Sequence, residues 1–264
     1  MRPIDVLVSR LTFAVMPKYA HDAVVPESDS EKSKKVQVQD MFDKIAFRYD
    51  FLNRFLSGRL DILWRKSLIR TISQVNPENI LDVATGTGDV AIMTAKALKN
   101  ARITGIDISN GMLELGRRKV AKQLLNDRIT LVQGDSEAIK ANMGSFDAVT
   151  VAFGVRNFEH LERGIAEIFR VLRRGGIVGI LEFSRPAKGV FLSVYNFYMD
   201  TVASRLGRWL SKDREAYKYL HSSVKAFPEG ETFLHILEQE GFINTSLKRL
   251  SLGICTIYYG KKPG

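Results

Sequence analysis

The 264-residue sequence predicts an α/β fold with a doubly wound, mostly parallel sheet and an antiparallel hairpin at its C-terminal end. Short apolar runs alternate with stretches of helical spacing, which is typical of a parallel sheet covered on both faces. The last two strands are separated only by a tight turn, so we expect them to pair antiparallel. The strands are predicted at 79–84, 103–106, 129–132, 148–152, 177–183, 242–247 and 253–259.

Two helices and an extension precede the first strand. Helical spacing of Met41, Phe42, Ile45 and Ala46 predicts a helix from Val38, and a second helix is predicted at 60–73. Residues 1–37 are interpreted as a poorly ordered extension, because 17–37 is polar and rich in turn formers. An amphipathic helix within 1–16 is an alternative. The main domain is therefore expected at 38–264, with its N-terminal helices in 38–75.

Composition limits the classes of protein that fit. The chain has one cysteine, Cys255, and four scattered histidines, which argues against a disulfide and against a metal site. Its uncharged runs are far shorter than the roughly 18 residues of a spanning helix, so we expect no membrane crossing. The net charge of +10 favours an anionic partner, either nucleic acid or a lipid surface.

The ends of the first two predicted strands carry a nucleoside-binding pattern. The first ends in Asp82-Val-Ala-Thr-Gly86-Thr87-Gly88, where the glycines allow a tight turn and a close approach of backbone to ligand. Asp107 ends the second strand, 19 residues after Gly88, where a carboxylate can accept hydrogen bonds from both ribose hydroxyls. NAD and S-adenosylmethionine both satisfy this pattern, so it does not separate them.

The next two strand ends narrow the choice. Asp135 and Ser136 follow the third strand, where they can reach an adenine ring. Folds that bind dinucleotides do not require an acid at this position, so Asp135 favours S-adenosylmethionine over NAD. The fourth strand runs into Phe153-Gly-Val-Arg156-Asn157. The Asn/Asp-Pro-Pro-Tyr motif by which adenine and glutamine N-methyltransferases grip an amine is absent. A nucleic-acid substrate is therefore not expected.

Five segments together resemble one family, the demethylmenaquinone and ubiquinone biosynthesis C-methyltransferases. The resemblance extends over about residues 38–262, and the family's usual Met and His at positions 52 and 61 are Leu52 and Asp61 here. The segments read MFDKIAFRYDFLN with Ser57 and Trp64-Arg65, LDVATGTGD, GIDIS with Met112-Leu113, FDAVTVAFGVRN, and FRVLRRGG to LEFSRP.

The resemblance implies a class I S-adenosylmethionine-dependent methyltransferase, Rossmann-like, with a seven-stranded sheet and no metal. It places Thr87, Asp107, Asp135 and Ser136 against the donor, beside the loop of Asp82, Gly86 and Gly88. It also implies that Tyr49 and Arg156 face the substrate ring. An aromatic and basic insert at 186–226 is interpreted as a helical lid that guides an isoprenoid tail and rests on anionic headgroups.

The expected chemistry is methylation of a quinol ring carbon. Loss of a phenolic proton raises the electron density on the ring, and a guanidinium suits the developing oxyanion. Arg156 is predicted to hold that oxygen, with Asn157 or Tyr49 as further hydrogen-bond partners. Asp50, Tyr49 or water takes the proton. A salt bridge from Arg156 to Glu159 or Asp147 is the structural alternative.

Demethylmenaquinol is the favoured acceptor, in the last step of menaquinone synthesis. The alternatives are 2-methoxy-6-polyprenyl-1,4-benzoquinol, or both acceptors. An NAD-dependent oxidoreductase and a nucleic-acid methyltransferase are the more distant alternatives. We expect a cytoplasmic protein, peripheral on the inner face of the cell membrane, with a lipid quinol as its partner and self-association possible.

Overall fold

The computed structural model describes residues 19–185 and 214–264. Its centre is a seven-stranded sheet in the order β3-β2-β1-β4-β5-β7-β6. The strands from β1 to β5 run parallel, and β7 pairs antiparallel with both β5 and β6, so the predicted architecture is confirmed. The strands are β1 (Asn79–Val83), β2 (Arg102–Asp107), β3 (Ile129–Gln133), β4 (Phe146–Ala152), β5 (Leu172–Phe183), β6 (Ile243–Leu250) and β7 (Cys255–Lys261).

Helices cover both faces of the sheet. Successive side chains of a strand point to opposite faces of the sheet, so each strand contributes to the hydrophobic core on both faces. Ile80 packs towards α2, α3 and α4, whereas its neighbour Leu81 packs towards α5 and α7. The described helices are α1 (Lys34–Leu56), α2 (Leu60–Ser73), α3 (Asp89–Ala97), α4 (Asn110–Lys122), α5 (Leu161–Val171), α6 (Arg214–Ala226) and α7 (Glu231–Gln239).

Two boundaries in the second half of the chain differ from the prediction. Strand β5 begins at Leu172 rather than at residue 177, because α5 passes directly into it and Phe146 pairs with Leu172 across a register shift. The two strands of the final hairpin end and begin later than the predicted 242–247 and 253–259, and a single 3-10 turn, Ser251–Gly253, joins them. Within that turn Leu252 has a φ of 59°, the left-handed conformation that glycine usually adopts.

The predicted N-terminal boundary is wrong for the described part of the extension. Helix α1 begins at Lys34, and Ala20–Ala23 forms a 3-10 turn against the domain. His21 is completely buried, the Tyr19 hydroxyl donates to Glu162 Oε1 at 2.7 Å, and Lys34 Nζ donates to the His21 carbonyl at 2.7 Å. Two aromatic rings thus anchor a segment whose average polarity predicted disorder. The helix expected within 1–16 lies outside the described residues.

The predicted lid at 186–226 is described only in its last helix, α6, because 186–213 lies outside the described residues. Among the residues that are described, no helix is both long enough and apolar enough to cross a bilayer. The carboxyl ends of β1 to β5 meet along one edge of the sheet, and the predicted site residues other than Tyr49 and Asp50 of α1 lie at or next to these ends.

Candidate active site

Asp82 supports the glycine loop from beneath. Its carboxylate is buried and accepts hydrogen bonds from the Thr85 hydroxyl at 2.6 Å and the Thr150 hydroxyl at 2.7 Å. Burial raises the pKa of Asp82 to about 6. Asp82 is buried and does not line the cleft described below, so its role is to shape the loop.

Gly86 and Gly88 have φ values of 56° and 76°, so both sit in the left-handed region that glycine adopts without strain. Gly88 precedes the first turn of α3. The first turn of a helix has backbone N–H groups without partners in the helix itself, and these suit an anionic group. The loop thus has the conformation that the sequence pattern predicts.

Asp107 fixes the loop from the side. Its Oδ2 accepts from the Gly86 backbone N–H at 2.8 Å, and its Oδ1 accepts from the Ser109 N–H at 2.9 Å. Burial raises the pKa of Asp107 to about 6. Ser109 caps α4 by accepting from the Met112 N–H, so Asp107 is not consumed as a helix cap.

A cleft opens along the ends of β1, β2, β3 and β4. It brings together four of the predicted site residues, Asp107, Asp135, Ser136 and Asn157. Apolar side chains form its walls, which suits a planar base with polar edges. These walls come from Val38, Phe42, Ala84, Ile106, Ile108 and Phe158.

Helix α1 lies across this cleft, which the sequence did not indicate. Lys35 Nζ donates to Asp135 Oδ2 at 2.7 Å and to Glu137 Oε2 at 3.1 Å. Further along the helix, Asp43 accepts from the Ser109 hydroxyl and from the Gly111 N–H. The pattern that predicted α1 was apolar periodicity, and it carried no information about these polar partners.

Asp50, near the end of α1, meets the glycine loop. The Thr87 hydroxyl donates to Asp50 Oδ1 at 2.6 Å, and Lys119 Nζ donates to Asp50 Oδ2 at 2.9 Å. Lys119 also forms an ion pair with Asp89. Burial of the Asp89 carboxyl raises its pKa, but the charged partners of Asp89, Lys119 among them, outweigh burial and hold the pKa below its usual value. Asp50 therefore lies on the donor side of the site. Tyr49 belongs to the same helix, but its side chain is outside the described residues.

Arg156 follows β4 and forms a buried ion pair with Glu182 at the end of β5. Arg156 Nη1 lies 2.6 Å from Glu182 Oε1 and donates to the Phe153 carbonyl at 2.6 Å. The alternative of a salt bridge to Glu159 or Asp147 is wrong, since Arg156 forms its ion pair with Glu182 and Asp147 pairs with Arg173. Glu182 was missed, although it lies in the LEFSRP segment that carries the resemblance.

Asn157 is held by the last helix of the predicted lid. Its Oδ1 accepts from the Tyr219 hydroxyl on α6 at 3.1 Å, and its Nδ2 donates to the Phe153 carbonyl at 3.4 Å. Burial raises the pKa of Tyr219 well above its ordinary value, so the phenol stays protonated as a donor. Tyr219 could have been suspected only from its place among the aromatic residues of the insert.

Three aromatic rings line the edge next to Arg156. Phe153 and Phe183 stack with ring centroids 4.5 Å apart, and Trp64 from α2 packs edge-on against both. Asp61, which stands where the family usually has histidine, is buried and pairs with Arg65. A buried ion pair therefore fills that position in this chain.

Comparison with known proteins agrees with this geometry. The model of the ubiE/COQ5 methyltransferase family matches residues 29–262. The chain belongs to this family. It is 41% identical over 244 residues to the demethylmenaquinone methyltransferase of Bacteroides fragilis, which covers 92% of this chain and 99% of that protein. It is 45% identical over 234 residues to the ubiquinone/menaquinone biosynthesis C-methyltransferase UbiE of Geotalea daltonii, which covers 88% and 98%.

Solved structures show the same fold at low identity. A putative S-adenosylmethionine-dependent methyltransferase of Methanococcus maripaludis matches with a TM-score of 0.60 and 22% identity, covering 89% of this chain and 97% of that one. Phosphoethanolamine N-methyltransferase 2 of Haemonchus contortus, in complex with S-adenosylmethionine, matches with a TM-score of 0.61 and 14% identity, covering 90% and 61%. The predicted family, fold and enzyme class are thus confirmed, and S-adenosylmethionine is the methyl donor.

Proposed function

We propose that this enzyme methylates a ring carbon of demethylmenaquinol, giving menaquinol. The names of the Bacteroides fragilis and Porphyromonas gingivalis relatives support this acceptor, the latter at 42% identity over 235 residues. The name of the Geotalea daltonii relative includes both quinones, so it supports the dual-function alternative, in which a benzoquinol precursor of ubiquinone is methylated as well. The observation that supports the proposal is the buried Arg156, whose neighbours in the loop after β4, Gly154 and Asn157, line the cleft.

In the proposed reaction the ring carbon attacks the sulfonium methyl in line. A C–C bond forms, the C–S bond breaks, and the electron pair leaves on the sulfur of S-adenosylhomocysteine. The methylated carbon then loses its proton, which restores the aromatic ring. The donor is already activated, so the protein supplies alignment and a dry site.

The residues divide between the two reactants. Asp107 is proposed to accept from the ribose hydroxyls, with Asp135 and Ser136 at the adenine edge and Thr87 at the loop. Arg156 is proposed to hold the developing oxyanion, oriented by Glu182, because a preorganised donor stabilises charge as it develops. Asn157 supplies a further hydrogen bond, positioned by Tyr219.

Asp50, Tyr49 and water remain the proposed proton acceptors. Both oxygens of Asp50 already accept hydrogen bonds, one from Thr87 and one from Lys119. These bonds support a second role for Asp50, in which it aligns the glycine loop. A base must lie within hydrogen-bond reach of the proton it removes.

The surroundings of the enzyme are also part of the proposal. A polyprenyl quinol partitions into lipid, so the enzyme is expected to work in the cytoplasm at the inner face of the cell membrane. The 186–226 segment, with α6 at its end, is proposed to guide the isoprenoid tail. No metal and no nucleic acid takes part, and self-association is left to measurement.

A methyl-transfer assay with labelled S-adenosylmethionine tests the proposal. Chemically reduced demethylmenaquinone and the reduced benzoquinone precursor are offered in parallel. Label in the naphthoquinol alone supports a menaquinone enzyme, and label in both products supports dual function. Label in neither product, with S-adenosylhomocysteine still bound, would contradict the quinol assignment and leave the methyltransferase class intact.

A further inference from the structure

Helix α2 presents an apolar and basic strip to solvent, outside the cleft described above. Its opposite side is buried, with Trp64, Leu68 and Ile72 packed towards the sheet. Residues three or four positions apart share one side of a helix, so the solvent-facing residues near the start of α2 form one strip. The exposed residues of this part are Arg59, Leu60, Leu63 and Lys66.

The final hairpin extends this strip. Trp64 Nε1 donates to Ser251 Oγ at 2.8 Å, which fixes the Ser251–Gly253 turn against α2. Leu252, next in the chain, is 68% exposed. Lys248 is exposed and pairs in register with Ile257, which packs beside Trp64, so Lys248 points to the α2 side of the sheet.

We name these six residues the docking face: Arg59, Leu60, Leu63, Lys66, Lys248 and Leu252. Three are leucines, of which Leu63 is 58% exposed, and three are cations. The only acid of α2, Asp61, is buried against Arg65 and so does not offset this charge. Exposed apolar groups beside basic ones are the composition of surfaces that lie on anionic bilayers.

The docking face lies at the edge of the sheet that carries the acceptor residues. Trp64 packs against Phe153 and Phe183 with centroids 6.3 and 6.2 Å apart, and both rings lie at the carboxyl ends of β4 and β5. Arg156 stands over the Phe183 ring at 5.5 Å. A surface seated here would bring the lipid phase to the site.

We propose that the docking face seats the enzyme on an anionic lipid bilayer. Its leucines enter the boundary between headgroups and acyl chains, and its cations contact anionic headgroups. The lipid acceptor in this inference rests on the proposed function, whereas the docking itself does not. A second copy of this chain fits less well, because a symmetric contact would oppose the three cations to three more.

Co-sedimentation of the full chain with vesicles tests the docking. Vesicles of phosphatidylcholine with phosphatidylglycerol are compared with vesicles of phosphatidylcholine alone, at low and high salt. Wild-type protein is expected to partition to the anionic vesicles and to be released by salt. The double variant Leu63→Ser, Leu252→Ser is expected to lose roughly tenfold or more in partitioning, and Lys66→Glu roughly fivefold or more.

Matched controls lie on the same face of the sheet but beside β3, at the opposite edge of the sheet from the docking face. Leu124 is 88% exposed and has a φ of 55°, so Leu124→Ser repeats the Leu252 change in the same backbone conformation. Lys122→Glu repeats the charge reversal at an exposed position on α4. Both controls are expected to partition like wild type. Equal S-adenosylhomocysteine binding by all variants shows that each is folded.

Three results would overturn the docking. They are wild-type protein that stays in the supernatant with anionic vesicles, equal loss in Leu124→Ser, and a dimer in light scattering that the double variant dissociates. Turnover of quinol separates the two proposals. Docking variants should lose turnover of polyprenyl quinol in vesicles and keep it with a short-tailed, water-soluble quinol. Normal partitioning without turnover of any quinol supports docking and contradicts the proposed function alone.

Discussion

Arg156 and Glu182 meet at 2.6 Å with 4% and 0% of their side chains exposed. The pair joins the end of β4 to the end of β5. Arg156 also donates to the Phe153 carbonyl, and the Glu182 carboxylate accepts from the backbone N–H groups of Arg156 and Phe183. The guanidinium is thus held in one orientation before any acceptor arrives.

Arg156→Ala is expected to lower turnover by roughly 100-fold or more, because it removes the proposed donor to the oxyanion. Binding of S-adenosylhomocysteine, measured by calorimetry, should survive. Equal loss of turnover and donor binding would contradict the assignment.

Glu182→Gln tests whether the buried ion pair of Glu182 with Arg156 stabilises the fold. Removal of one charge from a buried pair lowers the free energy of unfolding by about 3–5 kcal/mol, because the other charge is left uncompensated. Urea unfolding measures this loss. Glu159→Gln is the control, since that half-buried carboxylate does not pair with Arg156. An unchanged unfolding curve for Glu182→Gln would show that the pair does not stabilise the fold.

Donor binding is expected to depend on the ionisation of Asp107. Burial raises the pKa of Asp107 to about 6 in the free protein, and only the carboxylate accepts from both ribose hydroxyls. Affinity for S-adenosylhomocysteine should therefore fall as the pH drops below about 6, by up to about tenfold per unit. Asp107→Asn should bind weakly at every pH. A wild-type affinity that is flat across this range would contradict the expectation.

Asp82 is expected to make folding depend on pH in the opposite sense to a salt-bridged carboxylate. Its folded pKa is raised from 3.8 to about 6, so the folded state favours the protonated form. Its stabilising contribution is complete below the unfolded pKa and is lost as pH rises through about 6, by up to about 3 kcal/mol. The stability of Asp82→Asn relative to wild type should therefore increase over this range. Chemical unfolding at a series of pH values measures it.

Lys119 is expected to hold the donor loop together. Its ammonium contacts Asp50, Thr87 and Asp89, so Lys119→Met leaves two carboxylates without the cation between them. The free energy of unfolding should fall by about 1–3 kcal/mol, with weaker donor binding. Lys122→Met, exposed on the same helix, should change either quantity little. Equal effects of the two variants would contradict this role.

The fold could be predicted because its signals are local. An apolar run such as that of β1 predicts a strand at the same residues. Likewise, the glycines at 86 and 88 predict the backbone conformation of their own loop. The start of β5 was harder to place, because its extra residues pair with the irregular beginning of β4 and not with a regular neighbour. The segment from Tyr19 was missed because the buried His21 and the partly buried Tyr19 attach to the domain a stretch whose average composition is polar.

The sequence predicted which residues belong to the site better than it predicted the contacts between them. Asp107, Asp135, Ser136 and Asn157 were placed by strand ends, and the structure brings them to one cleft. An ion pair or hydrogen bond between distant segments gives no periodic pattern in the sequence. The roles of Glu182, Lys119 and Tyr219 were missed for this reason. For Arg156, the ion pair stated as the structural alternative to a role at the quinol oxygen named the wrong partners, because proximity in the chain pointed to Glu159 and Asp147 and not to Glu182.

The segment from Tyr19 to Lys35 sets a limit on how far the protein can be shortened. A chain that started at Val38 would keep every strand and would still look complete by its motifs. It would lack Lys34, which ties the helix to the His21 carbonyl, and Lys35, which bridges Asp135 and Glu137. Asp135 and Glu137 would then lie beside each other without the ammonium of Lys35 between them, so we expect the smallest active chain to begin well before its first recognisable motif.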